Sequence, residues 1–237
     1  MLWLLAGVTA LVLAVIALMI RDISKTPTVA RPAALVRPTH HATPSASPRL
    51  RQSASVSKKT SKRIRKIADA DSGLSYRLLS SPWRRGCPDT LNTPMFSWSA
   101  GENAVAGTVS GTPWYGNACS GLLQQQFAYA GPADLGPTAM SLVGALDPAY
   151  YAGVPHYRTI ESSHAIQVSG HQAWIVEFGM TYIDGASQGL TWSSELGAVV
   201  VVDRGVLHAP GVFYVSVPAN LGTQNVTMLI NSLRLGT

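Results

Sequence analysis

Residues 173–182 read AWIVEFGMTY and residues 196–202 read LGAVVVV, and the contrast between the two decides the fold. In the first, Trp174, Val176, Phe178, Met180 and Tyr182 fall on alternate positions and make one large apolar face, while Glu177, Gly179 and Thr181 share the other with Ala173 and Ile175. That period of two is the pattern of a half-buried strand. The second stretch is apolar on both faces, as a central strand covered by a layer on each side is. Asp203, Arg204 and Gly205 then supply a turn, and residues 211–217, with Val212, Phe213, Tyr214 and Val215, read as the antiparallel neighbour.

Working outward, residues 163–168, closed by Ser169 and Gly170, form a hairpin with the strand at 173. Residues 104–109 and 114–118 flank Ser110, Gly111, Thr112 and Pro113 and make a second hairpin. Two helices fit around these strands. The first has Pro137 just inside its start, presents Ala139, Met140, Leu142, Val143 and Leu146, and stops at Asp147 and Pro148. The second takes Asn225 as its cap and places Val226, Leu229, Ile230 and Leu233 at i, i+3, i+4 and i+7. Hairpin links with segregated helices predict an α+β sandwich over residues 71–237, opening near Gly73.

Charge separates this domain from what precedes it. Of 18 Lys and Arg residues, twelve lie in 21–66, where Asp22 is the only acid, so that stretch carries +11. Residues 67–237 hold six Arg, no Lys and eleven acids, a net −5. The high isoelectric point therefore belongs to the N-terminal segment, and a basic nucleic-acid-binding domain is excluded. Residues 1–20 carry no charge and are apolar on every face, and about 20 such residues span the roughly 30 Å core of a bilayer as a helix. No Lys or Arg precedes the run and no small-x-small site follows it, so it reads as a signal anchor rather than a cleaved signal peptide.

Residues 21–70 form a basic Pro-, Ser- and Ala-rich linker without an aromatic residue, with prolines at 27, 32, 38, 44 and 48. Such a stretch buries too little surface to offset chain entropy and is expected to be disordered. Its last block, Lys58, Lys59, Lys62, Arg63, Arg65 and Lys66, is either a solvated charge run or a site for an anionic surface, lipid headgroups or cell-wall polymer. Nucleic acid is disfavoured as a partner because no aromatics interleave the block for bases to stack on. The positive-inside rule alone would hold the domain in the cytoplasm. Low charge in the domain, the Pro, Ser, Ala and Thr content of the linker and two pairable cysteines argue for the extracytoplasmic side. A single-pass membrane protein with an outward-facing domain is the expectation.

The run Gly73, Leu74, Ser75, Tyr76 through Pro82 and Trp83 resembles the opening of actinobacterial cell-envelope proteins with the Mog1/PsbP-like fold. The order that follows resembles them too: helix at Pro137, hairpin at Ser169 and Gly170, central strand at 199–203, strand at 213–218, closing helix at Asn225. The resemblance implies an antiparallel sheet packed between helices, in a group of accessory, ligand-binding or assembly modules that generally lack a catalytic apparatus. It supplies no binding residues, because the group shares a fold and not a site.

Candidate chemistry is sparse. Cys87 and Cys119, 32 positions apart, do not match a zinc CxxC pair. They read as a disulfide tying the 83–94 loop to the strand at Trp114 if the domain is outside, and as buried thiols if it is inside. Six histidines are scattered, and Glu161 with His164 and His171 is the only local cluster, with the two rings facing each other across the Ser169 turn as a weak metal site or standing as exposed strand residues. Ser169, followed by Gly170 and His171, reads as a hairpin turn rather than a nucleophile, and the phosphate-cradling patterns GxxxxGK[ST] and GxGxxG are absent. Aromatic residues are dense between Trp83 and Tyr157, and Trp114, Tyr115, Tyr150 and Tyr151 border turns, where they line a ligand or partner surface or plug the sheet against the helices. The resulting expectation is a non-catalytic envelope binding or accessory module without cofactor or metal, with an unidentified protein partner. The alternatives are an envelope hydrolase gathering acids such as Asp134, Asp147 or Glu161, and a cytoplasm-facing anchor whose basic linker binds lipid or nucleic acid.

Overall fold

The computed structural model describes residues 65–236, so the expected membrane helix at 1–20, most of the linker, and Lys58, Lys59, Lys62 and Arg63 lie outside the described residues. Among the described residues no helix is long and apolar enough to cross a membrane. The chain runs through β1 (Lys66–Ala68), β2 (Leu74–Arg77), β3 (Arg84–Arg85), β4 (Ala100–Val109) and β5 (Thr112–Leu122) to helix α1 (Leu135–Leu146). It continues through β6 (His156–Val168), β7 (His171–Tyr182), β8 (Ser194–Val202) and β9 (Gly211–Pro218) to helix α2 (Gln224–Ser232) and β10 (Arg234–Leu235).

Seven strands form one sheet in the order β3-β4-β5-β9-β8-β7-β6, antiparallel throughout. Alternation sorts its side chains onto two cores. Val176, Phe178, Met180, Val199, Val201, Val212 and Tyr214 pack on one face with Ala139, Leu142, Val143 and Leu146 of α1. Ile175, Ala198, Val200, Val202, Phe213, Val215 and Val217 pack on the other with Val226 and Leu229 of α2 and with Ile67, Leu74 and Leu235 of the small β1-β2-β10 sheet. β8 and β9 are buried along nearly their whole length because both faces are covered, which is why 196–202 carries no alternation. The architecture is the expected α+β sheet between helices, in the expected element order.

Both tight hairpins close on two residues of positive φ, Ser110 (49°) with Gly111 (82°) and Ser169 (52°) with Gly170 (84°). These are the conformations whose twist matches that of paired strands, and glycine adopts the second without a Cβ clash.

Four expectations need correction. The domain starts at β1 rather than at residue 71 or Gly73: Ile67 is 2% exposed and Asp69 4%, and Lys66 pairs with Arg77. The described end of the basic block therefore lies at the start of a strand, with Arg65 and Lys66 exposed. Helix α1 has Pro137 inside its first turn, as expected, but does not stop at Asp147 and Pro148; it widens into a π-helical turn, Asp147–Tyr151. Pro148 has no N–H for the usual bond one turn back, so the ladder widens by a residue instead of breaking. Asn225 lies inside α2 and turns its side chain back to the Leu221 carbonyl (2.9 Å) rather than capping. The Asp203 turn is longer than expected, running to Pro210 with Val206 and Leu207 fully exposed.

Candidate functional site

Three segments meet over the sheet face that carries Tyr214: the tip of the β4–β5 hairpin, the π turn after α1, and the 3-10 turn Asp89–Leu91. Between them lies a cavity of about 240 Å³. Thr112 to Tyr115 and Asn117 come from β5, Ala149 to Tyr151 from the π turn, Thr90 and Leu91 from the 3-10 turn, Glu195 from β8 and Tyr214 from β9. Trp114, Tyr115, Tyr150 and Tyr151, two pairs separated by the whole of α1, thus border one space. The π turn supplies the second pair. Tyr150 donates to the Leu91 carbonyl (2.7 Å) and accepts from the Trp98 indole (3.0 Å), while Tyr151 turns into the core against Tyr214 and Ser216 (both 2.9 Å).

Glu195 is 3% exposed and forms the polar floor. Trp114 Nε1–H donates to its Oε1, and Ser216 Oγ–H donates to its Oε2 (2.7 Å). The Tyr182 hydroxyl and Trp192 indole lie beside the same carboxyl group, although neither atom completes a hydrogen bond. Burial raises the Glu195 pKa above the usual carboxyl range, and the surrounding donors offset only part of that. Burial also pushes up the phenols of Tyr151, Tyr182 and Tyr214, so they stay protonated donors. Trp114 stands edge-on to Tyr182 (centroids 5.8 Å apart) and tilted against Tyr151 (5.9 Å). The Asn117 side chain, 4% exposed, leaves Oδ1 without a partner.

Other aromatics of the 83–157 stretch are structural. Phe96, Trp98 and Phe127 fill the α1-side core and Trp83 the opposite one. A larger space of about 610 Å³ lies between residues 123–132 and the 203–210 loop. Its walls include the fully exposed Val206 and Leu207, and it gathers no buried acid, so we take the smaller cavity as the candidate site.

The acids named for a hydrolase are not brought together. Asp134 accepts from the Ala130 amide (2.7 Å), Asp147 pairs with Arg158 (2.8 Å), and Glu161 stands exposed at a register shift in β6. None of them lines the Glu195 cavity. His171 pairs with Val168 and His164 with Ile175, so the two rings do not face each other across the turn. Among the described residues no group of three metal-ligating side chains occurs. Cys87 and Cys119 form a disulfide between the 83–94 connection and β5, with Cα atoms 5.9 Å apart.

One string, Gly185-Ala186-Ser187-Gln188-Gly189, fits GxSxG. It forms a 3-10 turn between β7 and β8 with no helix after it, and Ser187 donates to the Asp184 carbonyl (2.7 Å), so it lacks the strand-to-helix context of a nucleophile elbow. Glu195, Asn117, Tyr214 and Ser216 were missed. The available signal for Glu195 was a lone acid at the head of an otherwise apolar strand, ELGAVVVV, a position that demands a partner.

Fold and cavity together define a two-core α+β domain with an aromatic-walled, acid-floored recess at one end of its sheet. The chain matches no protein-family model and no curated protein sequence. Among solved structures, cyanobacterial PsbP (CyanoP) from Synechocystis sp. PCC 6803 is similar over 73% of this chain and 92% of that one, with a TM-score of 0.47 and 9% identity. At that identity the similarity transfers no residue.

Proposed function

We propose that this protein is a non-catalytic binding or accessory module that is membrane-tethered and envelope-exposed, of the kind found among the actinobacterial envelope proteins its sequence resembles, and that it takes a small ligand in the Glu195 cavity. One observation carries the reading: two aromatic pairs distant in sequence converge on a recess whose floor is a buried carboxyl group. Rings of this kind supply contact area at little entropic cost, and one buried polar group fixes orientation. Accessory rather than chemical work is favoured by the partners of Ser216, whose hydroxyl donates to Glu195 and accepts from Tyr151 and so is committed within the network. The uncharged stretch at 1–20 and the twelve basic residues after it support a tethered domain held away from the bilayer.

The test is a panel of small polar fragments added to the full chain in detergent, read by the indole N–H resonances. A ligand of this cavity shifts Trp114 and leaves Trp83, in the opposite core, unmoved. If no fragment moves Trp114 selectively, the cavity is packing and not a site. Protease added to intact cells tests the placement: an exposed domain is shaved, and one that survives until the membrane is opened lies inside.

A further inference from the structure

We propose that the ligand of this cavity is a small organic cation, an alkylated or primary ammonium group held against the aromatic walls and over the Glu195 carboxylate. The inference rests on the cavity being a binding site and adds what it binds.

Among the described residues Glu195 is the one acid lining the cavity, and no Lys, Arg or His lines it. Its hydrogen-bond partners, Trp114 and Ser216, are neutral. A carboxylate taken out of water without a countercharge costs several kcal/mol in order of magnitude, which donors from neutral groups offset only in part. Without a ligand the group is held toward its neutral form, as the direction of its pKa indicates. A bound cation supplies the missing countercharge. An anion meets the opposite situation, a buried acid and no basic side chain, and is excluded as the preferred ligand.

Hydrogen-bond capacity points the same way. The donors next to the carboxyl group and on the π turn are engaged: Tyr150 gives its proton to Leu91, Trp114 to Glu195, and Ser216 to Glu195. At the floor, the Glu195 carboxyl oxygens keep further acceptor capacity. A ligand that donates to the carboxyl group fits this floor.

The walls complete the argument. Trp114 and Tyr151 are tilted by 53° to each other while Tyr150 and Tyr214 are stacked at 27°, so the rings bordering the cavity do not lie in a single flat stack. Ring faces attract a cation by about 0.5 to 2 kcal/mol each, more where water is excluded. A volume of about 240 Å³ falls below the 300 to 1,000 Å³ usual for drug-sized ligands, so the site admits a head group and little more.

The experiment titrates the full chain with two matched pairs: choline against its uncharged isostere 3,3-dimethylbutan-1-ol, and n-butylammonium against n-butanol. The readout is the Trp114 indole resonance. At least one cation is expected to bind saturably and at least tenfold more tightly than its neutral partner. Glu195→Gln is expected to remove that preference. The comparison on the wild-type protein stands by itself if the variant fails to fold. If an alcohol binds as tightly as its cation, the charge is not read and the inference is overturned while the cavity remains a site. If none of the four binds, the inference is overturned as well, and the fragment panel decides whether the cavity reading falls with it.

Discussion

Glu102 and Glu195 are both carboxyl groups taken out of water by the same sheet, and they differ in the partners each finds. Glu195 sits among indoles, phenols and a serine. Glu102, fully buried in β4, accepts from the Leu79 amide at Oε2 (2.9 Å) and leaves Oε1 unpartnered. Burial pushes its pKa up to about 7, opposed by the Leu79 bond and by Arg85. Because the folded pKa exceeds the unfolded value, the folded chain binds the extra proton between about pH 4.5 and 7. Stability therefore falls as pH rises through that window and levels off above it. Glu102→Gln imitates the protonated form and keeps an acceptor for Leu79. It is expected to match the wild type at pH 5 and to exceed it by roughly 2 to 3 kcal/mol at pH 8, at about 1.4 kcal/mol per pKa unit. Denaturant melts at the two pH values check this, and equal differences at both would mean that Glu102 is ionised throughout. Asp69 shows the opposite sign. Burial raises its pKa, but hydrogen bonds, chiefly from Ser72 and Ser99, outweigh it and the net shift is downward. It accepts at 2.6 Å from Ser72 Oγ and at 2.7 Å from Ser99 Oγ. Asp69→Ala is expected to cost about 3 kcal/mol. That loss is full above the ordinary aspartate value near 4 and shrinks as pH falls below it.

At the scale of elements, β1 shows what a three-residue strand contributes. It pairs with β2 over Lys66, Ile67 and Ala68, buries Ile67, and positions Asp69 to close the turn into Ser72. A chain begun at Asp71, the boundary that charge and composition suggest, loses the Ile67 side chain and every Asp69 bond. Burial of one isoleucine is worth about 2 kcal/mol and the Asp69 network a similar amount. The shortened chain is expected to melt at least 8 °C below one begun at residue 65, at about 2 to 4 °C per kcal/mol for a domain of this size. Equal melting points would make β1 an ornament of the sheet. The same strand explains what could be read in advance. β7, β8 and β9 were legible because nine or so residues of alternation or continuous apolarity cannot be mistaken, and both tight turns announced themselves through Ser-Gly pairs. β1, β3 and β10 are two or three residues long and have no period to detect; KIA at the end of a run of lysines looks like linker. The π turn was illegible because Pro148 ordinarily ends a helix. Of the site, the aromatic pairs were visible as residues beside turns. Their convergence depended on that unforeseen turn, and Glu195 was hidden by the apolar strand that buries it.

For the molecule as a whole, the Cys87–Cys119 bond joins stability to the candidate site. It pins the connection that carries Thr90 and Leu91, one wall of the cavity, to β5, which carries Trp114 and Asn117. Around it the packing has no slack: a Cβ at Gly101 would collide with Cys87 Sγ. Closing a loop over a separation of 32 residues removes about 3 to 4 kcal/mol of unfolded-chain entropy. The pair Cys87→Ala and Cys119→Ala is accordingly expected to lower the melting temperature by roughly 6 to 16 °C, at about 2 to 4 °C per kcal/mol. Two outcomes differ in meaning. If stability falls but ligand affinity at Trp114 is kept, the wall is held by its own packing, since Leu91, Phe96 and Trp98 are all buried in the α1-side core. If affinity falls by more than the loss of folded protein accounts for, the disulfide orders the 3-10 turn that Tyr150 grips through the Leu91 carbonyl, and an oxidising compartment is a condition of binding as well as of folding.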